Sequence, residues 1–131
     1  MAVLDPGAIL EMAGEELAGA IIKKINSNIP PPNKPATIKH KGSSKTLIDS
    51  GDMVGSIAWR MKKENPYEIE CEVGIFDETI AEYARAHEFG YPPGNIPERS
   101  FLRSTCDEEG DRILDAAEKL LGDDISRSWE E

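Results

Sequence analysis

The sequence predicts an α+β fold: a small antiparallel sheet built on a β-hairpin, packed against N-terminal and C-terminal helices. Three observations carry the prediction. Apolar residues recur at helical spacing near both ends of the chain. Between them YEIECEVGI, residues 67–75, alternates apolar and polar without exception, and Ile57, Trp59 and Met61 alternate with Ala58, Arg60 and Lys62 just before it. At 131 residues the chain fits one domain, 1–131, and such a domain buries roughly two thirds of its unfolded surface.

The first element is a helix over DPGAILEMAGEELAGAIIKKINSN. Asp5 is a good N-cap with Pro6 at the first helical position, and Ile9, Ala13, Leu17, Ile21 and Ile25 recur every four residues. Glutamates toward its start and Lys23 and Lys24 toward its end match the helix dipole. A connector follows, IPPPNKPATIKHKGSSK, with four prolines, four lysines and no acid. It reads as an exposed basic loop at 29–46, either a basic arm that reaches a neighbouring subunit or an acidic surface or simply a mobile loop, with one helical turn over Thr37–Lys41.

Asp49 or Ser50 caps a short helix through Val54, and the hairpin comes next, turning at Glu64-Asn65-Pro66. Its outer face sets Arg60 and Lys62 against Glu68, Glu70 and Glu72, which is ordinary sheet chemistry. Asp77 or Thr79 caps a helix over Ile80–Glu88 with Ile80, Tyr83, Ala84 and His87 on one face, ended by a left-handed turn at Gly90. The last helix is expected from about Ser100 to Leu121, with Leu102, Cys106, Ile113, Ala117 and Leu120 on one side, Gly122 as its stop and a frayed acidic tail at 123–131. Gly110 interrupts that stripe, either tolerated or marking close approach by another backbone. Cys71 and Cys106 read as buried thiols.

The net charge of −10 is uneven: residues 1–63 carry nine basic and six acidic groups (+3), residues 64–131 six and nineteen (−13). A protein that coats DNA needs clustered cations, so stable nucleic-acid binding is not expected. No run approaches the ~20 apolar residues of a membrane span, and no leader pattern opens the chain, so the expected compartment is cytosolic.

Chemical motifs are sparse. His87-Glu88 lacks a second histidine four residues on, where Tyr91 stands, and His40 lies in the basic loop, so no metal site is expected. No serine sits in a nucleophile elbow, and no glycine cluster has phosphate-loop spacing. Neither a catalytic residue nor a cofactor site is assigned. The stretch that stands out is YARAHEFGYPPGNIPERSFLRS, where a helix breaks at Phe89-Gly90, crosses a proline-rich connector and restarts with Arg99 and Arg103 bracketing Phe101-Leu102. It reads as a docking device, with the alternative that Phe101 and Leu102 pin the last helix onto its own sheet.

Four motifs in order resemble a known family. They are Lys41-Gly42-Ser43, Leu47-Ile48-Asp49-Ser50-Gly51 before the hairpin, His87-Glu88-Phe89-Gly90, and Pro97-Glu98-Arg99-Ser100-Phe101-Leu102-Arg103. Together they resemble the virion-morphogenesis proteins of tailed phages, the Mu G-type tail-completion family, over residues 35–105 and the helices on either side. Two departures stand out: Asp52-Met53 where the family often has a basic residue and leucine, and Ser100 where proline is common. The resemblance implies a non-enzymatic phage or prophage assembly protein that completes the tail or joins tail to head. Such a protein would work as an oligomeric ring, for instance a hexamer, beside tail or connector proteins, in the bacterial cytoplasm during assembly and then in the tail or neck of the virion. Interface residues are expected at Lys34, Lys39, Lys41 and Lys45 of the loop and at Phe89, Arg99, Phe101, Leu102 and Arg103. The alternative, from the acidic charge, is a DNA-mimicking inhibitor of a host DNA-binding protein.

Overall fold

Proline at a first helical position and a run of good helix formers start helix α1 (Pro6–Asn26). The structure, a computed structural model, describes residues 6–27, 29–31, 52–65 and 68–130. Helix α1 buries Ile9, Gly14, Ala18, Ile21 and Ile25, whereas Ala13 and Leu17 of the expected ladder are half-buried. A four-residue repeat drifts about 40° per step around a helix of 3.6 residues per turn, so a strict ladder cannot stay under one neighbour. Instead α1 is covered from two directions, by the hairpin and by the last helix.

A short helix α2 (Asp52–Gly55) leads into β1 (Ile57–Asn65), which pairs antiparallel with β2 (Glu68–Ile75). The register sets Ile57 opposite Ile75, Trp59 opposite Val73 and Met61 opposite Cys71, with Arg60 opposite Glu72 and Lys62 opposite Glu70 on the other face. An irregularity between Lys63 and Asn65 shifts the ladder near the turn. Of β1 only Ile57 is fully buried; Trp59 is exposed. At Gly14 α1 packs tightly on the sheet, and a Cβ there would collide with the Cys71 sulfur.

Asp77 caps helix α3 (Glu78–Phe89), its carboxylate accepting the Ile80 N–H at 3.0 Å. Of the expected face of α3, Ala84 is buried and Ile80 packs against the core, whereas Tyr83 is exposed and His87 half-buried; the other buried residue is Glu88. Helix α4 (Leu102–Glu130) starts two residues later than expected and runs through Gly122, so that glycine is no stop and the 123–131 segment continues the helix to Glu130. A Cβ at Gly110 would meet nothing, so that glycine is tolerated rather than a close approach. Phe101, Thr105 and Ile113 are buried, while Cys106 and Leu120 are exposed. Fixing Phe101 in the core sets the rotation of α4, which carries Cys106 about 100° past Thr105. Cys71 is half-buried, so neither thiol has the full burial expected of it.

The core joins Ile21 and Ile25 of α1, Ile29, Met53, Ile57, Ala84 and Phe101. Ile29 thus belongs to the core although it opens the segment read as an exposed loop. Helices α1 and α4 run antiparallel, with Lys24–Glu108 at 2.9 Å and Arg112–Glu16 at 2.7 Å along their seam. Exposed pairs of this kind contribute little, so they align the helices more than they hold them. Among the described residues no helix is long and apolar enough to cross a membrane.

Candidate functional site

Phe101 stands at the N-cap position of α4, and its side chain has no oxygen to accept the orphan N–H groups of the first turn. The acceptor comes from another helix. Glu88, at the end of α3, is 4% exposed and accepts the N–H groups of Phe101 at 2.8 Å, Leu102 at 3.1 Å and Arg103 at 2.7 Å. The Ser100 hydroxyl donates to it at 3.0 Å and Arg103 Nε at 3.2 Å. Burial on its own would raise the carboxyl, but the backbone N–H groups of Arg103, Leu102 and Phe101 and the Ser100 hydroxyl outweigh it. The group is held below the usual carboxylate range. A carboxylate at a helix N-terminus also meets the favourable end of the dipole.

Arg103 closes the joint from outside. Its guanidinium donates to the Glu88 carbonyl at 3.0 Å and to the Glu98 carboxylate at 3.2 Å, and stacks 4.3 Å from the Phe89 ring centroid. Gly90 has φ 81° and ψ 155°, an extended mirror-image conformation rather than the left-handed helical turn expected, and a Cβ there would lie 3.1 Å from the Glu98 nitrogen. Both facts call for glycine. The crossover closes on itself through a Tyr91–Ile96 bridge around Pro92–Gly94, and the Arg99 N–H returns to the His87 carbonyl at 2.8 Å.

Of the expected interface residues, Lys34, Lys39, Lys41 and Lys45 lie outside the described residues, as do the expected turn at Thr37–Lys41, the cap at Asp49 or Ser50, and the two motifs before the hairpin. Arg99 and Phe101 are buried within the chain; the Arg99 guanidinium donates to the Pro31 carbonyl at 2.9 and 2.7 Å. Both residues are thus engaged within the chain itself. Leu102 is half-buried beside Phe101, while Phe89 is 56% exposed under Arg103. Tyr91 is also exposed, and Phe76, beneath Arg60, lies at the far end of α3. An apolar cleft of about 180 Å³ opens between Ile75, Ala84, Phe89 and Leu102.

The residue that sequence reasoning missed is Glu88, which it considered only beside His87 as a metal or acid/base pair. An apolar N-cap position shows only that the first turn needs acceptors from elsewhere, not which residue supplies them. His87 packs edge-on against Tyr83, ring centroids 4.5 Å apart. Burial, with Glu11 beside it, pushes the Cys71 thiol up; partial desolvation, with the charges of Asp107 and Glu88, does the same for the otherwise exposed Cys106, so both stay protonated and weakly nucleophilic near neutral pH. Among the described residues no three His, Cys, Asp or Glu side chains group closely enough to hold a metal ion.

The chain matches no protein-family model, no curated protein and no solved structure.

Proposed function

We propose that this chain is a non-enzymatic assembly protein of a tailed phage or prophage, completing the tail or joining it to the head as an oligomeric ring. One observation supports the reading above the others. Two of the four family-like motifs, His87-Glu88-Phe89-Gly90 and Pro97 to Arg103, are the two halves of one joint, in which Glu88 of the first receives the helix that the second begins. The pattern that suggested the family therefore has a structural reason in this chain. What the joint leaves outside, Phe89 and Tyr91 with Arg103, is aromatic surface suited to a partner rather than to a reaction. The test is to delete the gene from the phage or prophage that encodes it and examine the particles by electron microscopy. Separate heads and tails, or tails of unfinished end, are expected, and infectious particles of normal form would overturn the proposal.

The DNA-mimic reading has one observation in its favour. Asp107, Asp111, Asp115 and Glu118 are exposed on one side of α4, the first three about 6 Å apart along the axis. Arg112 and Lys119 stand beside that row and break its negative field. Capture of a host DNA-binding protein that free duplex DNA displaces would favour this reading over the first.

A further inference from the structure

The sheet has two strands, and among the described residues no further strand pairs with either outer edge. Each strand thus presents backbone N–H and C=O groups directed away from its partner, the kind of edge that accepts a strand from another chain. Two strands alone are marginal, and a third adds both ladder hydrogen bonds and side-chain pairs.

Charge is divided between the strands on the face turned from the core. Arg60 and Lys62 stand on β1, and Glu68, Glu70 and Glu72 on β2. Within the hairpin Arg60 pairs with Glu72 at 3.0 Å, while Lys62, though opposite Glu70 in register, pairs with Glu64 on its own strand at 3.0 Å. Glu68 and Glu70 therefore have no ion-pair partner among the described residues.

We propose that the outer edge of β2 takes β1 of a second copy as its next strand, so that the glutamate row lies between its own basic row and its neighbour's. This contact rests on the ring reading and names the surface that would build the ring. Copies repeated in one orientation bring the second β1 up antiparallel to β2, the same polarity as inside the hairpin. A two-fold pairing of β2 with β2 sets glutamates opposite glutamates, which is destabilising, and β1 with β1 leaves Glu68 and Glu70 without a cation. The charge rows thus select a head-to-tail contact, which closes into a ring when the rotation between copies closes.

The test uses the full chain with Cys71→Ala and Cys106→Ser. Single cysteines replace Arg60 or Lys62 in one set of chains and Glu68, Glu70 or Glu72 in another; the sets are mixed under oxidising conditions and resolved on non-reducing gels. At least one mixed pair should give a disulfide dimer several-fold more abundant than either parent gives alone. In parallel, Glu70→Lys with Glu72→Lys should shift wild-type oligomers to monomer in sedimentation, and adding Arg60→Glu with Lys62→Glu to the same chain should restore them. Circular dichroism keeps unfolded variants out of the comparison. Wild type that stays monomeric at every salt concentration would overturn the ring and this contact together. An oligomeric wild type with no mixed cross-link, or with equal cross-linking of each parent to itself, would overturn the contact and leave the ring standing.

Discussion

The α3–α4 joint and the β-hairpin use their polar groups in opposite ways. In the joint one buried carboxylate accepts the N–H groups of Phe101, Leu102 and Arg103, the Ser100 hydroxyl accepts that of Ser104, and the cation beside them is shared among Glu88, Glu98 and an aromatic ring. In the hairpin, among the described residues, no further strand pairs with either edge and two glutamates have no ion-pair partner. A group satisfied inside the subunit has little to offer a neighbour, whereas an open edge does. Damage to the joint should therefore appear as lost stability, and damage to the outer face of the hairpin as lost association.

The largest effect is expected from Phe101→Ala. Phe101 is 3% exposed within the core, and truncation of a buried phenylalanine costs about 3–5 kcal/mol, readable as a lower urea midpoint. Glu88→Ala comes next at about 3 kcal/mol, because it strips the acceptor from three N–H groups at once. Glu88→Gln should cost less and expose a pH signature. The folded carboxyl lies below its ordinary value, so the unfolded chain takes up the proton first as acid is added. The stabilisation is complete above the unfolded value of about 4.3 and disappears as pH falls through the depressed folded one. The gap between wild type and Glu88→Gln should narrow in the same direction, and a gap independent of pH would break the comparison.

A smaller effect sharpens where the two regions meet. Gly14→Ala drives a methyl group into the Cys71 sulfur, and overpacking of this kind costs about 1–3 kcal/mol. Adding Cys71→Ala should recover most of it; thermal melts of the single and double variants would show whether the cost is that contact or helix α1 itself. The smallest change in stability belongs to Glu70→Lys with Glu72→Lys, about 1 kcal/mol or less for exposed cross-strand pairs, despite the loss of association expected of the same variant.

Much of the fold was legible because local chemistry and tertiary packing agree. Pro6 and the lysines at its end mark α1, Asp77 marks the start of α3, and the unbroken alternation of residues 67–75 allows no element but a strand. Legibility ends where long-range contacts decide. Nothing near Phe101 tells that its turn is capped by a residue of the preceding helix, so from sequence Glu88 stands beside His87 as chemistry, whereas in the structure it caps α4. The rotation of α4 is set by that cap and by Phe101: of the expected stripe Ile113 is buried and Leu102 and Ala117 are half-buried, whereas Cys106 and Leu120 are exposed and Thr105, outside the stripe, is buried. By its identity Gly122 reads as a stop, although a helix passes through an isolated glycine at a cost of about 1 kcal/mol.

Native-state amide hydrogen exchange, residue by residue, on the free and the assembled protein bears most directly on the contrast between the two regions. The amides of Phe101, Leu102 and Arg103, bound to Glu88, should exchange only by global opening and equally slowly in both states. Outward-facing amides of β1 and β2 should exchange fast in the free chain and become protected on assembly. Fast exchange at 101–103 in the free protein, or protection on assembly that appears there and not on the strands, would contradict the division between a joint that fastens the subunit and an edge that joins it to the next.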